Sequence, residues 1–264
     1  MKPRRIGLAR ALSKLGFCSR SRAFELIRSG RVALNGTLSR NPEAPVRLEA
    51  DRITVDGQVT TPRDKVYFML NKPRGVVTTA SDEKDRATVY ACLPRNIPWV
   101  SPVGRLDKAS EGLLLLTNDS EWAARVLAPE THLEKTYHVQ LDRLVDEALL
   151  ASMKRGILAD DALLRAGKVR ILRRGEKNCW LEVVLDEGKN RHIRRMLAET
   201  GIEVLRLVRV SIGPVALAQL AKGAVRQLTA DEKQALDQAM DDAANRRRVP
   251  NPSPPPGPTE TPRS

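Results

Sequence analysis

Apolar residues recur at helical spacing near the amino end and at alternating spacing through most of the remaining chain. Over residues 6–16, Leu8, Ala11, Leu12 and Leu15 fall on one helical face, and Gly16 suits the C-cap. Ser19 is placed to cap a second helix, with Ala23, Leu26 and Ile27 turned inward and Gly30 at its end. Val32 and Leu34 then alternate ahead of Asn35-Gly36, and a second alternating stretch turns at Asp56-Gly57. Both dipeptides accept the positive φ angles of a type I′ turn, so two hairpins are expected. Residues 60–64, Thr-Thr-Pro-Arg-Asp, read as a linker.

From Val66 onward strand patterns dominate, with helices interspersed. Residues 66–80 predict two strands around a Lys72-Pro73-Arg74-Gly75 turn, and residues 136–142 a single alternating strand. Residues 168–174 and 178–187 predict a hairpin around Gly175-Glu176-Lys177. Residues 190–200 read as a helix closed by Gly201, and residues 204–215 return as a strand. Thr229 and Glu232 have the spacing of a capping box for a last helix. Hairpins with interspersed helices, and no strand–helix–strand repetition, predict an α+β fold with a mainly antiparallel sheet. The domains fall at 5–63 and 64–240. Residues 241–264, basic and rich in proline, are expected to be a disordered tail without a core.

Charge sharpens this picture. The chain of 264 residues carries a formal net charge of +13, with a pI near 10.1, which favours a polyanionic partner. Residues 1–40 hold ten Lys and Arg against one acid, Glu25. The excess is therefore concentrated on the two short helices and their hairpin. The three cysteines, Cys18, Cys92 and Cys179, are far apart and lack metal-ligand spacing, which fits a reduced cytoplasm. No run is long and apolar enough for a membrane helix, and the amino terminus has no apolar signal core, so a cytoplasmic protein without a membrane partner is expected. A monomer is expected because no long amphipathic seam is left over.

The segment richest in chemistry is Gly104–Asp119, GRLDKASEGLLLLTND. Asp107 lies between two glycines, just ahead of four leucines that must be buried, so its carboxylate is partly desolvated and favours a cationic neighbour. On spacing alone, an Asp that caps a loop and pairs with Arg105 at the surface is the favoured explanation. The segment resembles the catalytic motif of the S4-domain-containing rRNA pseudouridine synthase family. Three others agree in order: Asn71-Lys72-Pro73-Arg74-Gly75, Glu134-Lys135-Thr136-Tyr137, and Glu187–Met196. At the amino end, residues 16–36 resemble the S4 RNA-binding domain of the same proteins.

The resemblance implies a small S4-like domain followed by a pseudouridine synthase domain acting on ribosomal RNA or on subunit assembly intermediates. It makes Asp107 the nucleophile, Tyr137 the ring that stacks on the target uracil, and Arg194 the partner of Asp107. Arg105 would fill the space a flipped base vacates, or instead contact a phosphate or form a loop salt bridge. Ile193 and Leu113–Leu116 would wall the pocket. Ser19, Arg20, Arg22, Arg28, Arg31 and Asn35 would contact RNA. His192 stands where many relatives have glutamine, and a structural role is expected for it. No cofactor or metal is implied, and the chain has no nucleotide-binding glycine motif. A non-catalytic S4-type RNA-binding or ribosome-assembly factor is the competing expectation. A metal-dependent nuclease is a weaker one, since Asp160-Asp161 and Asp241-Asp242 read as solvated faces.

Overall fold

The computed structural model describes residues 5–79 and 86–246. The chain opens with a two-residue strand, β1 (Ile6–Gly7), followed by α1 (Leu8–Lys14) and α2 (Arg20–Arg28). The Ser19 hydroxyl accepts from Arg22 N at 3.0 Å and caps α2. Next come β2 (Val32–Leu34), β3 (Thr37–Leu38), β4 (Pro45–Val46), β5 (Ile53–Val55) and β6 (Gln58–Val59). β1 pairs with β4, and the other four form an antiparallel sheet in the order β3-β2-β5-β6. Both expected hairpins form. Asn35 and Asp56 each have φ 51°, and Gly36 and Gly57 follow at 85° and 79°. A closed apolar cluster, including Leu8, Leu12, Ile27, Val32 and Val55, gives this module its own core.

The connecting segment is not slack. Arg63 N donates to Leu15 O at 3.1 Å, and Asn118 takes hydrogen bonds at both ends of its amide, from Val66 N and to Asp64 O. Beyond it lie β7 (Tyr67–Lys72), β8 (Ser101–Val103), β9 (Glu111–Thr117), α3 (Ser120–Leu127), β10 (Lys135–Leu141) and α4 (Glu147–Arg155). These are followed by β11 (Ile157–Ala159), β12 (Ala162–Leu164), β13 (Lys168–Arg174), β14 (Cys179–Leu185), α5 (His192–Ala198), β15 (Val204–Ile212), β16 (Val215–Ala216), β17 (Val225–Gln227) and α6 (Ala230–Arg246).

Nine of these strands make one sheet along the path β13-β14-β10-β15-β9-β7-β17, with β8 also on β9 and β16 also on β15. The strand pairs of this sheet are antiparallel, except β9 with β15. β9 is central and covered on both faces. Leu114 and Leu116 enter one apolar cluster, Leu113 and Leu115 the other, and all four are fully buried. That two-sided burial is why the strand reads as a continuous leucine run instead of an alternation.

The expected second strand after Gly75 does not form. Val77 makes only a single bridge, with Thr88, its backbone N donating to Ala87 O and its carbonyl accepting from Val89 N, while the residues on either side of it turn to the Asp107 loop. Gly75 N donates to Lys108 O at 2.8 Å, and the Thr78 hydroxyl donates to Leu106 O at 2.7 Å. The capping box at α6 closes as expected, Glu232 N to Thr229 Oγ1 at 3.1 Å and Thr229 N to Glu232 Oε2 at 2.9 Å, worth about 1 kcal/mol. The disordered tail expected from residue 241 starts too early. α6 continues to Arg246, and Met240 and Ala243 are buried, because the helix packs on the sheet face that carries Met69, Leu113 and Leu115. The remainder of that segment, 247–264, lies outside the described residues. No helix among the described residues is long and apolar enough to cross a membrane.

Candidate active site

A cavity of about 350 Å³ opens beside the loop that joins β8 to β9, within the size range of small-ligand pockets. Asp107, Arg105, Tyr137, Ile193 and Arg194 all line it. The sequence segments that carry these five residues are far apart along the chain, and the sheet brings them together. Asp107 is half-buried on the loop, Tyr137 is buried on β10, and Ile193 and Arg194 occupy the first turn of α5.

The backbone around Asp107 is held from several sides. The ammonium of Lys72, at the end of β7, is fully buried and donates to Asp107 O at 3.1 Å, Ser110 O at 2.8 Å and Pro73 O at 3.1 Å. Ser110 N closes a turn onto Asp107 O at 3.0 Å. Leu106 N reaches the Thr78 hydroxyl at 3.3 Å. All of these contacts go to main-chain atoms near Asp107, leaving its carboxylate to the cavity.

Arg194 differs from expectation. Its guanidinium donates to Val204 O at 3.0 Å and to Ala109 O at 3.2 Å, and its Nε is buried without a partner. Among the described residues there is no ion pair between Arg194 and Asp107. Burial first, and then the neighbouring Arg191 charge, lower the Arg194 pKa; the Asp107 charge acts against them without contact. A half-buried guanidinium must satisfy its donors, and the acceptors within reach are backbone carbonyls.

Leu113–Leu116 do not wall the cavity, since β9 is enclosed by its neighbours on both faces. Leu106, Leu185, Leu207 and Ile212 do so instead. Arg105 is exposed at the rim. His192 is buried against the cavity, and burial lowers its pKa, which fits a neutral ring. Three further lining residues, Ser110, Lys135 and Arg209, are given no role by the sequence, although the first two lie inside its motifs. Two of them nevertheless leave a sequence signal. Lys135 shares a strand face with Tyr137 two residues on, and Arg209 interrupts an apolar strand at an inward position.

On the amino-terminal module, Arg20 and Arg28 are exposed and form no ion pair among the described residues. Arg22 pairs with Glu25 at 2.7 Å, and Arg31 grips Asp56 through two hydrogen bonds of 2.8 and 2.5 Å. Ser19 is occupied in capping. Asn35 uses its amide on Asp51 Oδ1 at 3.2 Å and Arg52 N at 2.8 Å. These two side chains brace the module, so the surface cations are its most available groups.

The residue pattern and the sheet find their counterparts among known proteins. A family model described as RNA pseudouridylate synthase matches residues 66–199, and an S4 domain model matches residues 6–53. The chain belongs to the RNA pseudouridine synthase family. A synthase from Aquifex aeolicus, described as an uncharacterized RNA pseudouridine synthase, is 39% identical over 230 residues, 87% of this chain and 92% of that one. Ribosomal large subunit pseudouridine synthase B of Bacillus subtilis is 35% identical over 242 residues, covering 90% and 98%. A crystal structure of a pseudouridylate synthase superposes with a TM-score of 0.62 at 30% identity, over 88% of this chain and 99% of that chain.

In this synthase, Lys72 is a testable support. Burial lowers its ammonium to a pKa of about 8, against an unfolded value of 10.5, while the Asp107 charge partly opposes the shift. Between those two values the unfolded chain binds more protons than the folded one. Folding therefore carries a penalty below pH 8 that is relieved as pH rises toward 10.5. In urea unfolding at pH 7.5 and pH 10, wild type minus Lys72→Met should become more favourable at the higher pH. A pH-independent difference would contradict a buried, shifted Lys72.

Proposed function

We propose that the chain converts uridine to pseudouridine in ribosomal RNA, with Asp107 as the nucleophile and without a cofactor. The observation that carries this reading is the carboxylate of Asp107, half-buried in a cavity whose walls include Tyr137 and Ile193, on a loop braced through its backbone alone. The name of the Bacillus subtilis relative supports ribosomal RNA as the substrate class. The proposed division is a 5–63 RNA-binding domain and a 64–240 catalytic domain, acting as a cytoplasmic monomer on ribosomal RNA or an assembly intermediate.

The reaction breaks the N1–C1′ glycosidic bond, turns the uracil and joins C5 to C1′. The proton that C5 loses is matched by one taken up at N1, so nothing is added or removed overall. Asp107 supplies the nucleophile. Tyr137 offers a flat face to the freed uracil and a hydroxyl for proton movement at C5. Ile193 and Leu207 keep water from the detached ring. Arg194 fixes the loop through Ala109 O and adds positive charge to the site. The target base has to leave its stack to reach Asp107, and Arg105, exposed at the rim, would fill the gap or hold a phosphate. Arg20, Arg22, Arg28 and Arg31, with Ser19 and Asn35 shaping the surface, supply phosphate contacts that depend on salt and carry little sequence information.

Carbodiimide-dependent reverse-transcription stops would map pseudouridines in both subunit RNAs from a deletion strain and complemented strains. One site should vanish on deletion and return with wild type but not with Asp107→Ala. If all sites persist, and purified protein converts no uridine in transcripts, the reading as a non-catalytic S4-type RNA-binding or assembly factor replaces this one.

A further inference from the structure

The cavity holds two cations that the chemistry above leaves unused. Lys135 is the first residue of β10, and Arg209 lies on β15 directly across from Tyr137 in the strand register. Arg209 is only 6% exposed. Its Nε donates to Leu113 O at 2.8 Å, while its Nη2 is buried without a partner. Among the described residues no carboxylate comes within 4.0 Å of either cation. Burial lowers the Lys135 pKa most, the Arg209 charge lowers it further, and Asp186 opposes both.

A buried charge without a counter-ion costs several kcal/mol, and a second like charge beside it adds to that cost. A brace for Leu113 O alone would need only a neutral donor. Asp107, the acid in the same cavity, makes no ion pair with either cation among the described residues, and the acid whose charge acts on Lys135 is Asp186. An anion entering the cavity would satisfy both cations. RNA carries one negative charge per phosphodiester, whereas uracil is neutral. We propose that Lys135 and Arg209 form a phosphodiester subsite beside Tyr137 that takes a backbone phosphate flanking the target uridine.

The subsite rests on the reading of Asp107 as acting on a uridine within this cavity. Its role is substrate positioning: a phosphate held there fixes where the ribose lies relative to Asp107. Two unpaired cations on paired neighbouring strands are ordered before substrate arrives, so little freedom is lost on binding.

The test uses a substrate RNA with a neutral methylphosphonate in place of the phosphate on either side of the target uridine. Wild type, Arg209→Met and Lys135→Met are each assayed on modified and unmodified RNA, with folding checked by thermal melting. One of the two neutral linkages should raise the wild-type KM about tenfold, equivalent to about 1.4 kcal/mol. In each variant the same linkage should cost less than about twofold, because the cation that met the phosphate is already absent. The variants should also flatten the log KM against log salt slope by about 0.7 for each cation removed. Penalties that multiply in full, or a wild type indifferent to both linkages, would overturn the subsite. So would a variant with lowered kcat and an unchanged linkage penalty, which would put these groups on the uracil. If Arg209→Met does not fold, Lys135→Met carries the same comparison. Wild type inactive on unmodified RNA would instead count against the reading of the enzyme itself.

Discussion

Asp107→Ala is expected to lower kcat by at least about ten-thousand-fold while the protein stays folded and still binds RNA. The loop around Asp107 is secured through main-chain atoms: Lys72 and Ser110 N both reach the Asp107 carbonyl, and Thr78 reaches Leu106. Truncating the side chain removes none of these bonds, so melting temperature should move by no more than about 3 °C. RNA affinity should fall by no more than a few-fold, since the proposed phosphate contacts lie mostly on the amino-terminal module. Tritium release from RNA labelled at uracil C5 measures the step directly, because C5 loses its hydrogen only when the new bond is completed. Asp107→Asn, which keeps the shape and removes the charge, should be equally inactive. Retention of more than a tenth of wild-type activity in either variant would mean that the nucleophile lies elsewhere.

Gly112→Ala is expected to produce the largest loss of stability, at least about 4 kcal/mol. Gly112 is the second residue of β9, a strand buried along its whole length, and has φ 103°, a conformation that side chains rarely adopt. A Cβ there would stand 2.8 Å from Arg209 N and closer still to Arg209 O. Both are backbone atoms of β15, at the one parallel junction of the sheet, where Val208 pairs with Glu111 and Arg209 with Gly112. Neither strand is free to retreat, because β9 is also paired with β7 and β15 with β10. The junction therefore has to part or the backbone has to strain. Thermal melting should show a drop of roughly 10 °C or an insoluble product, and activity should fall with it, since Arg209 and the Asp107 loop lie on either side of the contact. A soluble Gly112→Ala protein melting within about 3 °C of wild type would show that the strands separate at little cost.

The close approach at Gly112 was not legible in the sequence, although the glycine stands in the most informative segment of the chain. A glycine after Ser-Glu and before four leucines reads equally as a loop end or as a strand start. Only the arrival of β15, from a distant part of the chain, makes the missing side chain necessary. Arg194 shows the same limit in the candidate site. Resemblance brings it to Asp107, and the fold does place both on one cavity, but the guanidinium bonds to the carbonyls of Val204 and Ala109. Hydrogen-bond partners depend on which acceptors the neighbouring elements leave open, and sequence spacing carries no record of that.

By itself the sequence determined what depends on short-range chemistry. The two amino-terminal helices and their caps, the Asn35-Gly36 and Asp56-Gly57 hairpins, the Thr229–Glu232 capping box and the α+β class all follow from periodicity and local backbone preference. The family was legible because its motifs are contiguous runs of residues. The tertiary structure alone decided which strands are neighbours, that β9 lies between two apolar layers instead of walling the cavity, and that Gly75 and Thr78 brace the Asp107 loop where a second strand was expected. It also brought Lys72 beneath the Asp107 backbone and set Lys135 and Arg209 in the cavity without carboxylate partners. Each of these rests on contacts between segments distant in the chain. Such contacts are selected by the burial and hydrogen-bond satisfaction of the whole fold, which no local pattern of residues expresses.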